Sequence, residues 1–395
     1  MFPRSLVFPA LVVLGGLCAG VIGGSMAWLV HQIQHLATGL GLVSPIIVAG
    51  LGGVLAGLGW WWLRRQGPVR HVEEALLTDH QRLPLGRTTV DGLLQLLVVG
   101  SGASLGREQA PRQVAAAAID ALSARWHTSQ EQRRRLIAAA AGAGLAAVYN
   151  VPLAGILFSI EVLPARRDWR TVVAAITMSI IATVTAWPIV GNQPIYQFPS
   201  PDFRLSTLAW VLLAIPLAVG AGRLFTAMIE LAQRRSIQDP RWLPVTVGAA
   251  TALVVAVSTA LPGVTGNGEE ILRGAFAPES ALWVFGALLL AKPLLTAFSL
   301  GAGAVGGTMT PALAIGAALG AMAGLMLGID PDLVAVFALI GAAGVLAVVQ
   351  HAPIFAAIIA WELTGSPLWT LPLLLMVTGG AWLITKAIKA RGEPS

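Results

Sequence analysis

Residues 5–63 contain no Asp, Glu, Lys or Arg, and the same holds for 136–160, 171–201, 242–268, 293–329, 333–361 and 363–385. A water-soluble chain cannot leave such stretches uncharged and stay dispersed. Soluble domains carry about 25% charged residues, whereas here the share is 11% with 56% hydrophobic residues. A membrane-spanning helix needs roughly 20 apolar residues, so these runs predict about ten or more membrane helices, several of them short or interrupted. They lack the ten-residue alternation of an outer-membrane barrel. The chain reads as an all-α integral membrane protein.

The formal net charge of +6 does not indicate a nucleic-acid partner. The basic residues gather in short loops at 64–70, 133–135, 166–170 and 234–241 and in the tail 386–391, while the loop 191–200 is uncharged. That asymmetry follows the positive-inside rule and places these loops and both termini in the cytoplasm of a cell membrane. A lone cysteine, Cys18, excludes a disulfide scaffold or a cysteine metal cluster. Arg4 ahead of an apolar run imitates a signal peptide, but the run continues past Val30 without a cleavage site, which predicts a retained first helix.

Along the chain, 5–37 and 43–63 predict two spanning helices joined near Gly41. Residues 70–87 predict a polar surface helix, with His71 and His80 as surface residues rather than metal ligands. The apolar helix 89–105 then ends in Gly100-Ser-Gly-Ala-Ser-Leu-Gly-Arg-Glu-Gln-Ala-Pro111. Gly100, Gly102, Ala103 and Gly106 return as Gly301, Gly303, Ala304 and Gly307, and Pro152 and Glu161 return as Pro353 and Glu362, all at an offset of 201 residues. The closing prolines are Pro111 and Pro311. Such a recurrence predicts two duplicated halves, 1–203 and 204–395. Matching helix breaks in two halves are the best sequence pointer to a transport site at their interface.

The chemistry is expected at those breaks. A charge at membrane depth costs roughly 2.5–3.5 kcal/mol on insertion scales, so Arg107 and Glu108 mark a path rather than a decoration. Glycines let the backbone leave helical geometry, and a helix beginning there presents unpaired N–H groups and a positive dipole end. If the 106–111 loop faces Gly307-Thr308-Met309-Thr310-Pro311, two helix N-termini aim amides at one point, a site for a small anion without a full positive charge. Glu108 carries a carboxylate that fits the same site, so anion and proton movements would be coupled in opposite directions. The candidate anion-binding residues are Gly106, Arg107, Gln109, Gly307, Thr308, Met309 and Thr310, with the N–H groups of Arg107, Gln109, Met309 and Thr310 as donors. The plainer reading makes Arg107 and Glu108 a structural ion pair, Thr308 and Thr310 helix caps, and Asn150 and His351 caps before the second pair of prolines. Glu161 and Glu362, each ending a short helix beside a cytoplasmic loop, read as interfacial residues held by solvent. Gly102-Ala-Ser104-Leu-Gly106 also fits the nucleophile elbow of serine hydrolases, but an apolar helix precedes it where that elbow needs a strand. The sequence holds no HExxH motif, P-loop or dinucleotide fingerprint, so no metal or cofactor is expected.

In this order the motifs resemble those of the CLC family of chloride channels and anion/proton exchangers. Gly106-Arg107-Glu108 is similar to the start of that family's gate signature, Gly307 to Pro311 falls where it has G-x-F-x-P, and Asn150-Val-Pro-Leu-Ala-Gly-Ile-Leu-Phe158 matches the stretch after the gate. The resemblance implies two inverted halves with broken helices meeting at the bilayer midplane, a homodimer with one pathway per subunit, and Glu108 as gate and proton carrier. The departures are specific. Pro111 comes one residue late, Met309 replaces phenylalanine, and Gly67-Pro68 remains without the anion-binding serine. No tyrosine follows Tyr196 to act as the late pore tyrosine, Val162 stands where a second acid is frequent, and the chain leaves no room for CBS domains. These departures resemble the fluoride-exporting branch, for which Thr308, Thr310 and Gln109 would supply the extra donors. The resulting expectation is an inner-membrane fluoride/proton antiporter exporting fluoride; the alternatives are a chloride/proton exchanger and a passive chloride channel.

Overall fold

The computed structural model describes residues 4–39, 44–78, 82–277 and 281–392. The joint expected near Gly41 and the surface role of His80 lie outside the described residues. Among those described, every regular element is a helix. The first half comprises α1 (Arg4–Gly39), α2 (Pro45–Arg64), α3 (Val72–Leu77), α4 (Leu85–Gly100), α5 (Gln109–Arg125), α6 (Gln130–Tyr149), α7 (Pro152–Leu157, prolonged by a wide π turn at Phe158–Val162) and α8 (Trp169–Val190). The second comprises α9 (Ser206–Arg234), α10 (Leu243–Ser258), α11 (Glu269–Phe276), α12 (Leu282–Gly301), α13 (Met309–Met326), α14 (Pro331–Gln350), α15 (Pro353–Thr364) and α16 (Thr370–Gly392).

Nine of the described helices are long and apolar enough to cross a membrane, and α7 with its π turn and α15 are shorter apolar helices. With the two short helices this agrees with the expected number; α5 is shorter than a full span and α6 begins with charged residues. Asp120 of α5 accepts two bonds from Arg133 of α6, at 2.6 and 2.8 Å, with both side chains buried. Around that lock, α6 and α14 are sheathed on all sides, with Ala138–Ala141 and Ala342–Ala343 at 0–1% exposure. Small side chains let such helices approach closely where hydrophobicity alone gives no drive to associate.

The halves run in opposite senses. Near its start α4 is tied to the arginine-rich face by Arg87, which donates to the carbonyls of Leu63 and Gly67. It ends at Gly100, the chain turns at Gly102 (φ 115°), and α5 begins part-way back. Helix α12 ends instead on the arginine-rich face, where the Gly301 carbonyl accepts from Ile237 N–H at 3.2 Å, and the chain turns at Gly303 (φ 96°). Both turns require a positive φ that glycine adopts without strain. The re-entrant loops meet in an isolated antiparallel bridge: Gly106 N–H donates to Gly307 O at 2.7 Å, and Gly307 N–H to Gly106 O at 2.9 Å. Asn150 and His351 end α6 and α14 in left-handed conformations (φ 55° and 54°), so both are C-caps.

Three expectations need correction. Of the surface helix expected over 70–87, the described residues form the six-residue α3, with Val72, Ala75 and Leu76 buried, and from Leu85 onward they belong to α4. His71 is half-buried, its Nδ1 at 2.7 Å from Gln113 Nε2, because α3 folds against the bundle. Glu161 and Glu362 are not held by solvent, and only Glu161 lies near the arginine-rich face. Glu161 accepts from the N–H groups of Ile354 and Phe355 (3.2 and 2.6 Å), and Glu362 from those of Leu153 and Ala154 (2.9 and 2.7 Å). Each carboxylate caps the other half's helix, satisfying donors that a helix start leaves unpaired. The antiparallel course of α7 and α15 carries Glu362 to the opposite face.

Candidate functional site

The bridge between Gly106 and Gly307 brings the start of α5 against the start of α13, and the Glu108 side chain fills the space between them. Glu108 is fully buried. Its Oε1 accepts from Met309 N–H at 2.9 Å and Thr310 N–H at 3.4 Å, and its Oε2 from the Thr310 hydroxyl at 3.1 Å. The two glycines make the space. A Cβ on either would overlap the Glu108 carboxylate. Amide donors at a helix start stabilise a carboxylate or any other small anion in the same way.

A residue that the sequence did not single out completes the pocket. Tyr149, the last residue of α6 and 2% exposed, places its hydroxyl 3.4 Å from Glu108 Oε2 and 3.0 Å from Thr310 Oγ1. A tyrosine hydroxyl is thus present, delivered by a different helix from the one searched. The signal was its place directly before Asn150-Val151-Pro152, where the helix breaks.

The remaining candidates divide. Gly106, Gly307, Met309 and Thr310 converge on the carboxylate. Thr308 precedes α13 as its N-cap but makes no side-chain cap bond. Gln109 lies half-buried along a separate cavity of about 150 Å³, shared with Glu73, Arg112 and Gln113. Arg107 turns away from Glu108. Its guanidinium lies 3.5 Å from Glu269 Oε2, 3.4 Å from His31 Nε2, and over the Tyr149 ring at 5.6 Å. Burial pushes the Glu269 carboxyl up, but Arg107 and Arg273 outweigh it and hold the carboxyl below its ordinary value. His31, Glu269 and Arg273 line, with Asn267, a cavity of about 580 Å³. On either side of Glu108 in the chain, Arg107 reaches His31 and Glu269, which line the large cavity, and Gln109 lines the small one toward the arginine-rich face.

Two further charges were hidden in runs read as apolar. Asp91 of α4, 2% exposed, accepts from Trp60 Nε1 at 2.8 Å and Gln95 Nε2 at 2.7 Å. Lys292 of α12, fully buried, donates to the carbonyls of Val264 and Gly266 at 3.0 and 2.7 Å. Ser104, the nominal hydrolase nucleophile, is fully buried with its hydroxyl 3.2 Å from that of Thr296.

Residues 60–385 match the family described as "Voltage gated chloride channel". A ClcB-like chloride channel protein of Ralstonia nicotianae is 32% identical over 373 residues, covering 89% of this chain and 86% of that protein. The voltage-gated ClC-type chloride channel ClcB of Citrobacter koseri is 29% identical over 384 residues, covering 92% of each. Among solved structures, a slow cyanobacterial Cl⁻/H⁺ antiporter superposes with a TM-score of 0.83 at 22% identity, covering 98% of this chain and 95% of that one. A CLC-type fluoride/proton antiporter gives 0.77 at 20% identity, covering 98% and 97%. A family match over most of the length, relatives of the same size and an inverted fold around a buried glutamate agree: this multi-pass membrane protein belongs to the CLC family of anion channels and transporters and is not an enzyme.

Proposed function

We propose that the chain is a proton-coupled halide exchanger in which Glu108 is both gate and proton carrier. The observation that carries this reading is the Glu108 carboxylate held by the Met309 amide and the Thr310 amide and hydroxyl. An ionised carboxylate competes with a halide for those donors. A protonated one has lost the charge that held it there and yields the place. Alternation between the two occupants moves a halide one way and a proton the other.

Chloride is the ion this geometry favours. The fluoride expectation rested on the late Pro111, Met309, Val162, the lost serine and the missing tyrosine together, with three extra donors; Tyr149 supplies a hydroxyl, and of the three donors Thr310 alone bonds the carboxylate. The relatives just described are named as chloride channels. Fluoride is the second reading. It is favoured by the lost serine near Gly67, by Met309, and by two hydroxyls at the site, which offset the larger desolvation cost of a small, strongly hydrated ion.

The halves 1–203 and 204–395 would act as the two repeats. A homodimer with one pathway per subunit follows from the family resemblance. The positive-inside rule puts the arginine-rich face and both termini in the cytoplasm of the bacterial inner membrane. The test is flux from purified protein in liposomes, for chloride and fluoride separately, with pH recorded at the same time. Uphill proton movement driven by a chloride gradient supports exchange. Halide flux with no proton movement would replace it with a passive channel, and proton-coupled flux of fluoride alone would install the second reading.

A further inference from the structure

The cavity of about 150 Å³ on the arginine-rich side of Glu108 has a wall role that the pocket chemistry leaves unexplained. Its lining includes Gln109, Arg112 and Gln113 of α5, Ala141 of α6, Phe158 of the π turn and Glu73 of α3. At one end it touches Gln109, the chain neighbour of Glu108, and Arg112, whose Nε donates to the Glu108 carbonyl at 3.0 Å. At the other end Glu73 is solvent-exposed, so a single side chain faces both bulk water and the cavity. Leu163 lines the same cavity beside Val162, the position from which a second acid is missing.

We infer that Glu73 is the proton-exchanging acid on the arginine-rich side, linked to Glu108 through water in this cavity. The inference rests on the reading of Glu108 as proton carrier. A space of this size holds about five waters at roughly 30 Å³ each, and the side-chain amides and guanidinium in its wall give them the polar partners that buried water needs. In each transfer a protonated Glu73 gives its proton to the nearest water while the Glu108 carboxylate takes one from the last water. The waters return to neutrality and Glu73 is reprotonated from solution. The charged or titratable groups around Glu73 are its neighbour Glu74, His71 (bonded to Gln113), Arg112 of α5, and Arg134 of α6, which donates to Leu77 O.

The test uses the full chain in liposomes under an imposed chloride gradient, recording chloride and proton flux together. Glu73→Gln and Glu73→Ala are expected to cut proton flux at least tenfold while chloride flux stays within threefold, and Glu73→Asp to restore most of the proton flux. Wild-type protons per chloride in both Glu73→Gln and Glu73→Ala would overturn the inference, as would equal loss of both ions. Glu108→Gln is measured alongside. If it keeps its proton flux, the gate reading falls as well; if it alone loses proton flux, only the role of Glu73 falls.

Discussion

The guanidinium of Arg107 points away from the carboxylate of its chain neighbour Glu108 and meets Glu269, on a helix of the other half, at 3.5 Å. Adjacent residues at a helix start project in different directions, and here the divergence assigns them different work. Arg107 ties this loop to α11, so its guanidinium does not pair with Glu108. Replacing Glu269 by Gln strips a buried guanidinium of its carboxylate. That should cost about 1–3 kcal/mol of stability, read as a lower thermal midpoint in detergent. The pH dependence has a definite sign. The folded Glu269 carboxyl lies below its ordinary value, so its contribution is complete above the unfolded value of about 4.3 and fades as pH falls through the lower folded one. Wild type should therefore lose this increment only in acid, whereas Glu269→Gln lacks it at every pH. Identical acid-melting curves for the two proteins would refute the assignment.

Glu108→Gln keeps the shape of the gate but cannot exchange its charge. Proton coupling should vanish, leaving uncoupled halide flux measurable with an ion-selective electrode. Full coupling in that variant rules out the gate assignment.

Tyr149→Phe and Thr310→Val each delete one hydroxyl from the pocket. A lost hydrogen bond to a charged partner costs about 1.5–3 kcal/mol, roughly 10- to 150-fold in halide affinity. Isothermal titration should show both losses. If fluoride is the carried ion, Thr310→Val weakens fluoride more than chloride; an equal effect on both counts against that role. Unchanged affinity in Tyr149→Phe would remove the tyrosine from the site.

Gly307→Ala places a methyl group where the Glu108 carboxylate now sits. The carboxylate must then vacate the amides, so the expectation is raised uncoupled flux with fewer protons moved per halide. Retention of the wild-type ratio would show that the carboxylate does not need that space.

Glu161 and Glu362 cap each other's helices across the repeat. Removing either with Gln leaves two N–H donors weakly served and should lower stability by about 1–2 kcal/mol, the usual range for a lost cap. The two caps lie at opposite ends of the α7–α15 pair, so their effects on the thermal midpoint should add. A marked departure from additivity would point to a cooperative contact beyond the two caps.

Much of this arrangement was legible in advance. The paired glycine motifs at a constant offset, and the charge at Glu108 where charge is costly, located both re-entrant loops and brought Glu108 together with Gly106, Gly307, Met309 and Thr310. Side-chain direction was not legible. The motif shows Arg107 and Glu108 side by side but not that one turns to Glu269 and the other to Met309. Tyr149 is not legible as a pore residue from chain order, because the pocket is assembled from helices distant in sequence. The exchange of caps by Glu161 and Glu362 was illegible for the same reason. Each looked like a solvated helix end until its partner, roughly two hundred residues away, lay against it. Asp91 and Lys292 were diluted by their apolar neighbours, and only their buried partners show that each is individually accommodated.

The two main-chain bonds between Gly106 and Gly307 rivet the elbows of both halves together beside the Glu108 carboxylate. A passage riveted there does not open like a hinged door. With Glu108 as the proposed gate, its traffic would be regulated by the swing of a side chain past a fixed frame, which suits a turnstile that admits one passenger at a time better than a sluice.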